Sequence, residues 1–164
     1  METIAGLFKQ IKKEQKVDKV WLLKQFEGQF KTERERNLLV EAIKTCNKRQ
    51  STLYIYYDEN KQPIALINLE FDKVYELPIV SVGYLFVAKD YRKQKIKNLY
   101  LSQILIFYAI KVVIPQIQNL IQFSHVGLYP DQQNENLINH YLNIIPTSYK
   151  IKDKKDIWIF IKVK

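Results

Sequence analysis

Tyr84-Leu85-Phe86-Val87-Ala88-Lys89-Asp90-Tyr91-Arg92-Lys93-Gln94-Lys95-Ile96-Lys97-Asn98-Leu99 passes from an apolar stretch through a block of charges into a second apolar stretch. Ile79 to Val87 is rich in β-branched and aromatic side chains, which predicts a strand. Ala88-Lys89-Asp90 then opens a charged loop, Tyr91 to Lys97. A long apolar helix is predicted from Asn98 to Val113, with Pro115 stopping it. A helix N-terminus exposes unpaired backbone N–H groups and a partial positive charge, so it receives anions readily. Arg92, Lys93, Lys95 and Lys97 add cationic side chains to that field. The combination suits a phosphate-bearing ligand, although a solvated basic loop has the same composition.

Before this stretch, Thr3 is expected to cap a short first helix. Ile4, Leu7, Phe8 and Ile11 lie at helical spacing along it, with Lys9, Lys12 and Lys13 opposite. A second helix should begin near Asp18, carry the apolar Val20, Trp21, Leu23 and Phe26, and end or bend at Gly28. Thr32-Glu33-Arg34-Glu35 has the form of a capping box. The helix it opens carries Leu38, Leu39, Ala42, Ile43 and Cys46 on one face. Cys46 continues that stripe, so it reads as a buried core thiol rather than a nucleophile. The period then changes to two: Thr52 to Tyr57 and Ile64 to Phe71 form a β-hairpin about the turn Asp58-Glu59-Asn60-Lys61.

After the stretch come a strand, Ile121 to Leu128, and a helix, Asn134 to Ile144, with Leu137, Ile138, Tyr141 and Ile144 inward. Two closing strands, near Thr147 to Ile151 and Ile157 to Val163, flank Asp153-Lys154-Lys155-Asp156. An antiparallel meander followed by crossover helices implies a mixed α/β sheet covered by helices. No linker or repeat divides the chain, so its 164 residues are read as one domain, with N-terminal helices over residues 1–31 and a core from 32 onward.

The central stretch resembles the GNAT superfamily of acyl-CoA-dependent N-acyltransferases. In that family strand four ends in an apolar-aromatic-Val pattern, matched by Leu85, Phe86 and Val87. It leads into a pyrophosphate loop of the form Arg/Gln-x-x-Gly-x-Gly/Ala, matched by Arg92-Lys93-Gln94-Lys95-Ile96-Lys97. Lysines 95 and 97 occupy both glycine positions, where the family's backbone approaches phosphate without a Cβ in the way. The loop is therefore degenerate, and their ammonium groups are expected to replace part of what that approach supplies. Asn134 to Tyr141 resembles the family's helix-four pattern, an asparagine seven residues before a tyrosine. The resemblance implies that Asn134 contacts the pantetheine arm and that Tyr141 protonates the departing thiolate. It also implies a mainly antiparallel sheet with helices on both faces. A splayed cleft between strands four and five would orient the thioester on the backbone around Val87. The activity implied is transfer of an acetyl group from acetyl-CoA to a primary amine, on a small molecule or a protein. Loss of both glycines leaves a second reading open, a non-catalytic protein with the GNAT fold serving as a subunit of an assembly.

Charge and composition bound these readings. Twenty-six Lys and Arg against seventeen Asp and Glu give +9, a field that favours anionic partners. Lysines are scattered along the chain, and nucleic-acid binding has no recognition motif behind it. The lone Cys46 excludes an internal disulfide and a thiolate zinc site, and suits a reducing, cytoplasmic setting. His125 and His140, with no cysteine partner, do not make a metal site. His125 is also a candidate general base, more simply read as a core or rim histidine, and Glu70, Asp72 and Glu76 surround the turn where relatives keep a base. The apolar run Leu99 to Ile114 is broken by Ser102, Gln103 and Lys111. It is read as too short to span a membrane and as a face for homo- or hetero-oligomerisation.

Overall fold

The computed structural model describes residues 4–118 and 124–163. In chain order the elements are α1 (Ala5–Phe8), β1 (Ile11–Glu14), α2 (Lys19–Gln25), α3 (Glu33–Asn47), β2 (Thr52–Tyr57), β3 (Pro63–Val74) and β4 (Leu77–Val87). They continue as β5 (Lys95–Ile96), β6 (Leu99–Tyr100), α4 (Leu101–Tyr108), α5 (Ile114–Gln118), β7 (His125–Leu128), α6 (Glu135–Ile144), β8 (Tyr149–Asp153) and β9 (Asp156–Lys162). Seven strands pair in the order β1-β2-β3-β4-β7-β9-β8, and β5 with β6 forms a separate ribbon. β4 and β7 run parallel, whereas β1–β2, β2–β3, β7–β9 and β8–β9 are antiparallel. The expected mixed, mainly antiparallel α/β architecture is thus the one found. The chain divides into two compact units, one of Met1–Leu69 with Tyr84–Tyr108 and one of Glu70–Gly83 with Ala109–Lys164.

In the first unit, α2 and α3 lie on one face of the sheet. Leu22 and Phe26 of α2 and Leu39, Ile43 and Cys46 of α3 meet Leu53, Ile55, Leu66 and Phe86 in one core. Side chains alternate across a strand, so Tyr54 points the other way, its ring 5.5 Å from that of Tyr108 on α4. Phe8 of α1 meets the same Tyr108 ring at 5.4 Å. Helices therefore cover both faces of this unit. Asp18 caps α2 by accepting the Trp21 N–H at 3.0 Å. Of its apolar residues Leu22 and Phe26 are buried, while Val20 and Trp21 are exposed. Thr32 caps α3 as expected, its hydroxyl accepting the Glu35 N–H at 3.3 Å. The Glu35 carboxylate reaches further back and accepts the Lys31 N–H at 2.9 Å.

Three expectations are corrected here. Ile11 does not continue the first helix, which is only Ala5–Phe8, and its predicted cap Thr3 lies outside the described residues. Ile11, Lys12, Lys13 and Glu14 instead form an edge strand opposite Tyr56 to Leu53. One buried residue with two exposed lysines fits a strand edge as well as a helix. The long helix does not begin at Asn98. Lys95 pairs with Tyr100 and Ile96 with Leu99 in a tight ribbon, and Lys97 (φ 51°) with Asn98 (φ 67°) make its turn. Pro115 does not end the helix either. Residues Ala109–Val113 widen into a π-helical stretch, and α5 continues through the proline to Gln118. A proline nitrogen cannot donate and its ring crowds the preceding turn, and a π insertion just before it accommodates both. The helical run Leu101–Gln118 is long and apolar enough, by length and composition, to cross a membrane. Its Leu101, Ile104, Leu105 and Ile106 are buried within the fold.

In the second unit β7 lies between β4 and β9, with α6 packed on β9. Val74, Ile79 and Phe160 form a small core with Ile151 and Trp158 against it. Gly127 is required by close approach: a Cβ there would stand 2.7 Å from Ile79 Cδ1 and 3.2 Å from Trp158 Cε3. The predicted strand from Ile121 is found from His125, and its first three residues lie outside the described ones.

Candidate active site

β4 ends in alternation, with Leu85 and Val87 half-buried and Phe86 buried. The Phe86 ring packs 5.0 Å from Phe26 and 5.1 Å from Phe30. Its side chain belongs to the core of the first unit, so only its backbone is left to serve a ligand. The Val87 carbonyl accepts Arg92 Nε at 2.8 Å. Arg92 then forks onto Glu35, at 2.9 Å and 2.6 Å from its two terminal nitrogens, and its guanidinium lies 5.6 Å from the Phe86 ring centre. Burial pushes the Glu35 carboxyl up, but Arg92 and the Lys31 N–H outweigh it and hold the group below the ordinary carboxylate range. Gln29 ties down the same loop. Its carbonyl accepts the Lys89 N–H at 3.0 Å, and its side chain exchanges bonds of 3.1 Å and 3.0 Å with Asp90.

The remaining loop residues are placed by the ribbon. Gln94 donates to the Asp90 carbonyl at 2.8 Å. Lys95 lies over the Tyr100 ring with its ammonium 4.9 Å from the centre, so it is directed to its cross-strand partner. Lys97 Nζ approaches α1, since a Cβ added to Gly6 would lie 3.9 Å from it. Ile96 is half-buried and Lys93 exposed. Arg92 is thus paired with Glu35, and Lys95 stands over Tyr100.

In the second unit, Asn134 caps α6, its Oδ1 accepting the Leu137 N–H at 3.1 Å. Tyr141 is half-buried on α6. Burial, with the Asp131 carboxylate, pushes its phenol up to about 12, so it is neutral at physiological pH. His125 shares a 2.6 Å hydrogen bond with the Ser124 hydroxyl and lies on Phe160. Burial and Lys162 lower its pKa and keep it neutral, in agreement with a rim histidine. Glu70 is half-buried on β3, its carboxyl raised by burial and by Asp72, while Asp72 and Glu76 are exposed. Among the described residues there is no cluster of three His, Cys, Asp or Glu able to hold a metal. Charge divides unevenly between the units. The first carries eighteen Lys and Arg against ten Asp and Glu, the second eight against seven. The unit that holds the basic loop therefore has almost all of the net charge.

No protein-family model matches this sequence, and no curated protein matches it. Solved structures do match. AtaTR bound with acetyl-CoA aligns over 94% of both chains with a TM-score of 0.69 at 13% identity. AtaT complexed with acetyl-methionyl-tRNAfMet aligns over 93% of this chain and 94% of its own, at 0.65 and 12%. A GNAT-family acetyltransferase from Staphylococcus aureus Mu50 aligns over 94% of this chain and 99% of its own, at 0.59 and 15%. The chain has the GNAT fold. With β1 counted, Leu77–Val87 is the fourth strand, the place at which the GNAT pattern puts Leu85-Phe86-Val87. Sequence reading missed Gln29 and Glu35 as parts of this site. Glu35 carried a signal, its capping-box position at the start of α3, but nothing local indicated that its carboxylate would take an arginine 57 residues away.

Proposed function

We propose that this protein is an N-acetyltransferase that moves an acetyl group from acetyl-CoA to a primary amine. The observation that carries the reading is the GNAT fold over more than nine-tenths of the chain, with two of the matched structures solved with acetyl-CoA. The chemistry of the donor set fits the cofactor's anionic half. The first unit carries the excess of positive charge, and two carboxylates at the loop, Glu35 and Asp90, are engaged by Arg92 and Gln29. Lys93, Lys97 and the backbone of residues 92–97 would hold the pyrophosphate, and Asn134 would offer its amide to the pantetheine arm. Acetyl-CoA supplies an activated thioester. Leu85 and Val87 would orient its carbonyl through their backbone. The amine nitrogen would form the new C–N bond as the C–S bond breaks, its proton passing through solvent to the thiolate, and Tyr141 is the residue that the family resemblance assigns to the leaving sulfur. Both units belong to one catalytic domain in this reading, and a cytoplasmic location goes with it.

Isothermal titration with CoA and acetyl-CoA tests the cofactor. Micromolar binding is the expected outcome, and no heat at millimolar ligand sinks the enzyme reading. Mass spectrometry of reactions offered small amines, peptide N-termini and aminoacyl-tRNA then sorts the acceptor. The last is included because AtaT shares this fold. A second reading, a non-catalytic subunit, has its own observation: lysine stands at both loop glycine positions and the second of them turns a β-ribbon. Light scattering tests the association through the apolar helix that this reading calls for.

A further inference from the structure

Glu35 and Gln29 lie outside every stretch that the GNAT resemblance marks, yet both hold the loop that follows β4. We propose that Glu35 is a positioning residue for the cofactor, acting through Arg92 to fix the end of β4, and that Arg92 is this brace rather than a ligand of the pyrophosphate. The inference rests on the acetyl-CoA reading above. A guanidinium has five N–H donors in a rigid plane. Three are spent, one on the Val87 carbonyl and two on the Glu35 carboxylate. The fork matches both carboxylate oxygens, an arrangement that supplies geometric specificity as well as attraction. The pair is formally neutral, so Arg92 has no surplus charge to give a phosphate.

Glu35 is set before Arg92 reaches it. It stands in the first turn of α3, where the helix dipole favours a negative group, and it accepts the Lys31 N–H at 2.9 Å. Its own carbonyl accepts the Tyr84 hydroxyl at 2.7 Å, a second tie between α3 and β4. Turning Arg92 toward a ligand would strand a half-buried carboxylate and a strand-end carbonyl together, and stranded groups of this kind are costly. The Gln29–Asp90 bonds brace the same loop from its other side. The carbonyl held by this brace belongs to Val87, the residue whose backbone the thioester would meet.

The test is CoA titration against the full chain and its variants Glu35→Gln, Glu35→Asp, Arg92→Lys, Arg92→Gln and the Glu35→Gln/Arg92→Lys double, each first shown to be folded by circular dichroism. Glu35→Gln and Arg92→Lys should each weaken CoA binding about tenfold, with Glu35→Asp between, and the double variant should lose no more than the worse single. Arg92→Gln should leave the salt dependence of CoA binding unchanged, because no charge contact to phosphate is lost, whereas a lost phosphate ligand would flatten it. Equal or tighter CoA binding by folded Glu35→Gln, or a flattened salt slope in Arg92→Gln, overturns the inference while leaving the acetyltransferase reading standing. No CoA binding by the unaltered protein overturns that reading, and the inference with it.

Discussion

In the proposed reaction Tyr141 is the group assigned to the departing thiolate, and burial raises its phenol to about 12, further above a thiol's ordinary value of about 8.5 than a free tyrosine already stands. The hydroxyl is better suited to donate a hydrogen bond to the developing thiolate and keep its proton, with solvent completing the transfer. Tyr141→Phe should then lower kcat by about 100-fold or more while CoA affinity stays within about twofold, read by thiol release and by calorimetry. A variant that loses CoA binding instead would make Tyr141 a binding residue. Because the phenol stays protonated, the alkaline limb of the wild-type rate should show no loss from its ionisation below about pH 11. Lys95 yields the opposite lesson. Its lysine identity suggested an anion contact, but its ammonium stands over Tyr100, a contact worth roughly 0.5 to 1 kcal/mol at an exposed site. Lys95→Ala should therefore change CoA affinity by less than about threefold, and a tenfold loss in the same titration would restore the direct phosphate contact.

At the scale of elements, the β5–β6 ribbon keeps a glycine-like backbone without glycine. Lys97 and Asn98 both have left-handed φ, the pairing a two-residue hairpin turn demands. Asparagine tolerates it, whereas lysine gives up roughly 1 kcal/mol. Lys97→Gly should recover most of that and raise Tm by about 2 to 4 °C, measured by thermal denaturation without ligand. Gly127 is the reverse case, since its missing Cβ makes room for Ile79 and Trp158. Gly127→Ala should destabilise by about 1 to 3 kcal/mol in urea titration. These two glycine questions show what sequence carries. The strands β2, β3 and β4 and the helices α3 and α6 were legible because their patterns extend over six or more residues and their caps are local. β1 was not, because four residues with one buried side chain satisfy either period. The β5–β6 ribbon was hidden because its pairs are only two residues deep, and the passage through Pro115 because a π insertion leaves no residue signature. In the candidate site, motif spacing points to the loop and to Tyr141, because both motifs are local in sequence. The Glu35 and Gln29 braces could not, because their partners are distant in sequence.

Over the whole molecule, the tyrosines tie stability to alkaline pH in a direction that the charge does not. Burial pushes Tyr54 and Tyr57 to about 12, as it does Tyr141, and Tyr56 and Tyr108 are raised as well. A neutral phenol whose folded value exceeds its unfolded value near 10 contributes stability that is complete below about pH 10. That contribution is lost as pH rises toward 12, because only the unfolded chain can ionise. For the buried Tyr54 alone the loss is about 1.4 kcal/mol by pH 11, one pK unit past the unfolded value. Half-buried Tyr57 and Tyr141 add smaller amounts. Lysine deprotonation over the same range acts the other way. It discharges a chain of net +9 whose excess sits mainly in the first unit, and so relieves self-repulsion. A falling urea midpoint between pH 9.5 and 11, on the order of 2 kcal/mol or more, is therefore the signature of the phenols. Tyr54→Phe should shallow that fall by about 1 kcal/mol at pH 11 relative to its own value at pH 8. A midpoint that holds steady or rises through this range would mean that lysine discharge outweighs the phenols, and an unchanged pH dependence in Tyr54→Phe would mean that Tyr54 ionises freely in the folded protein.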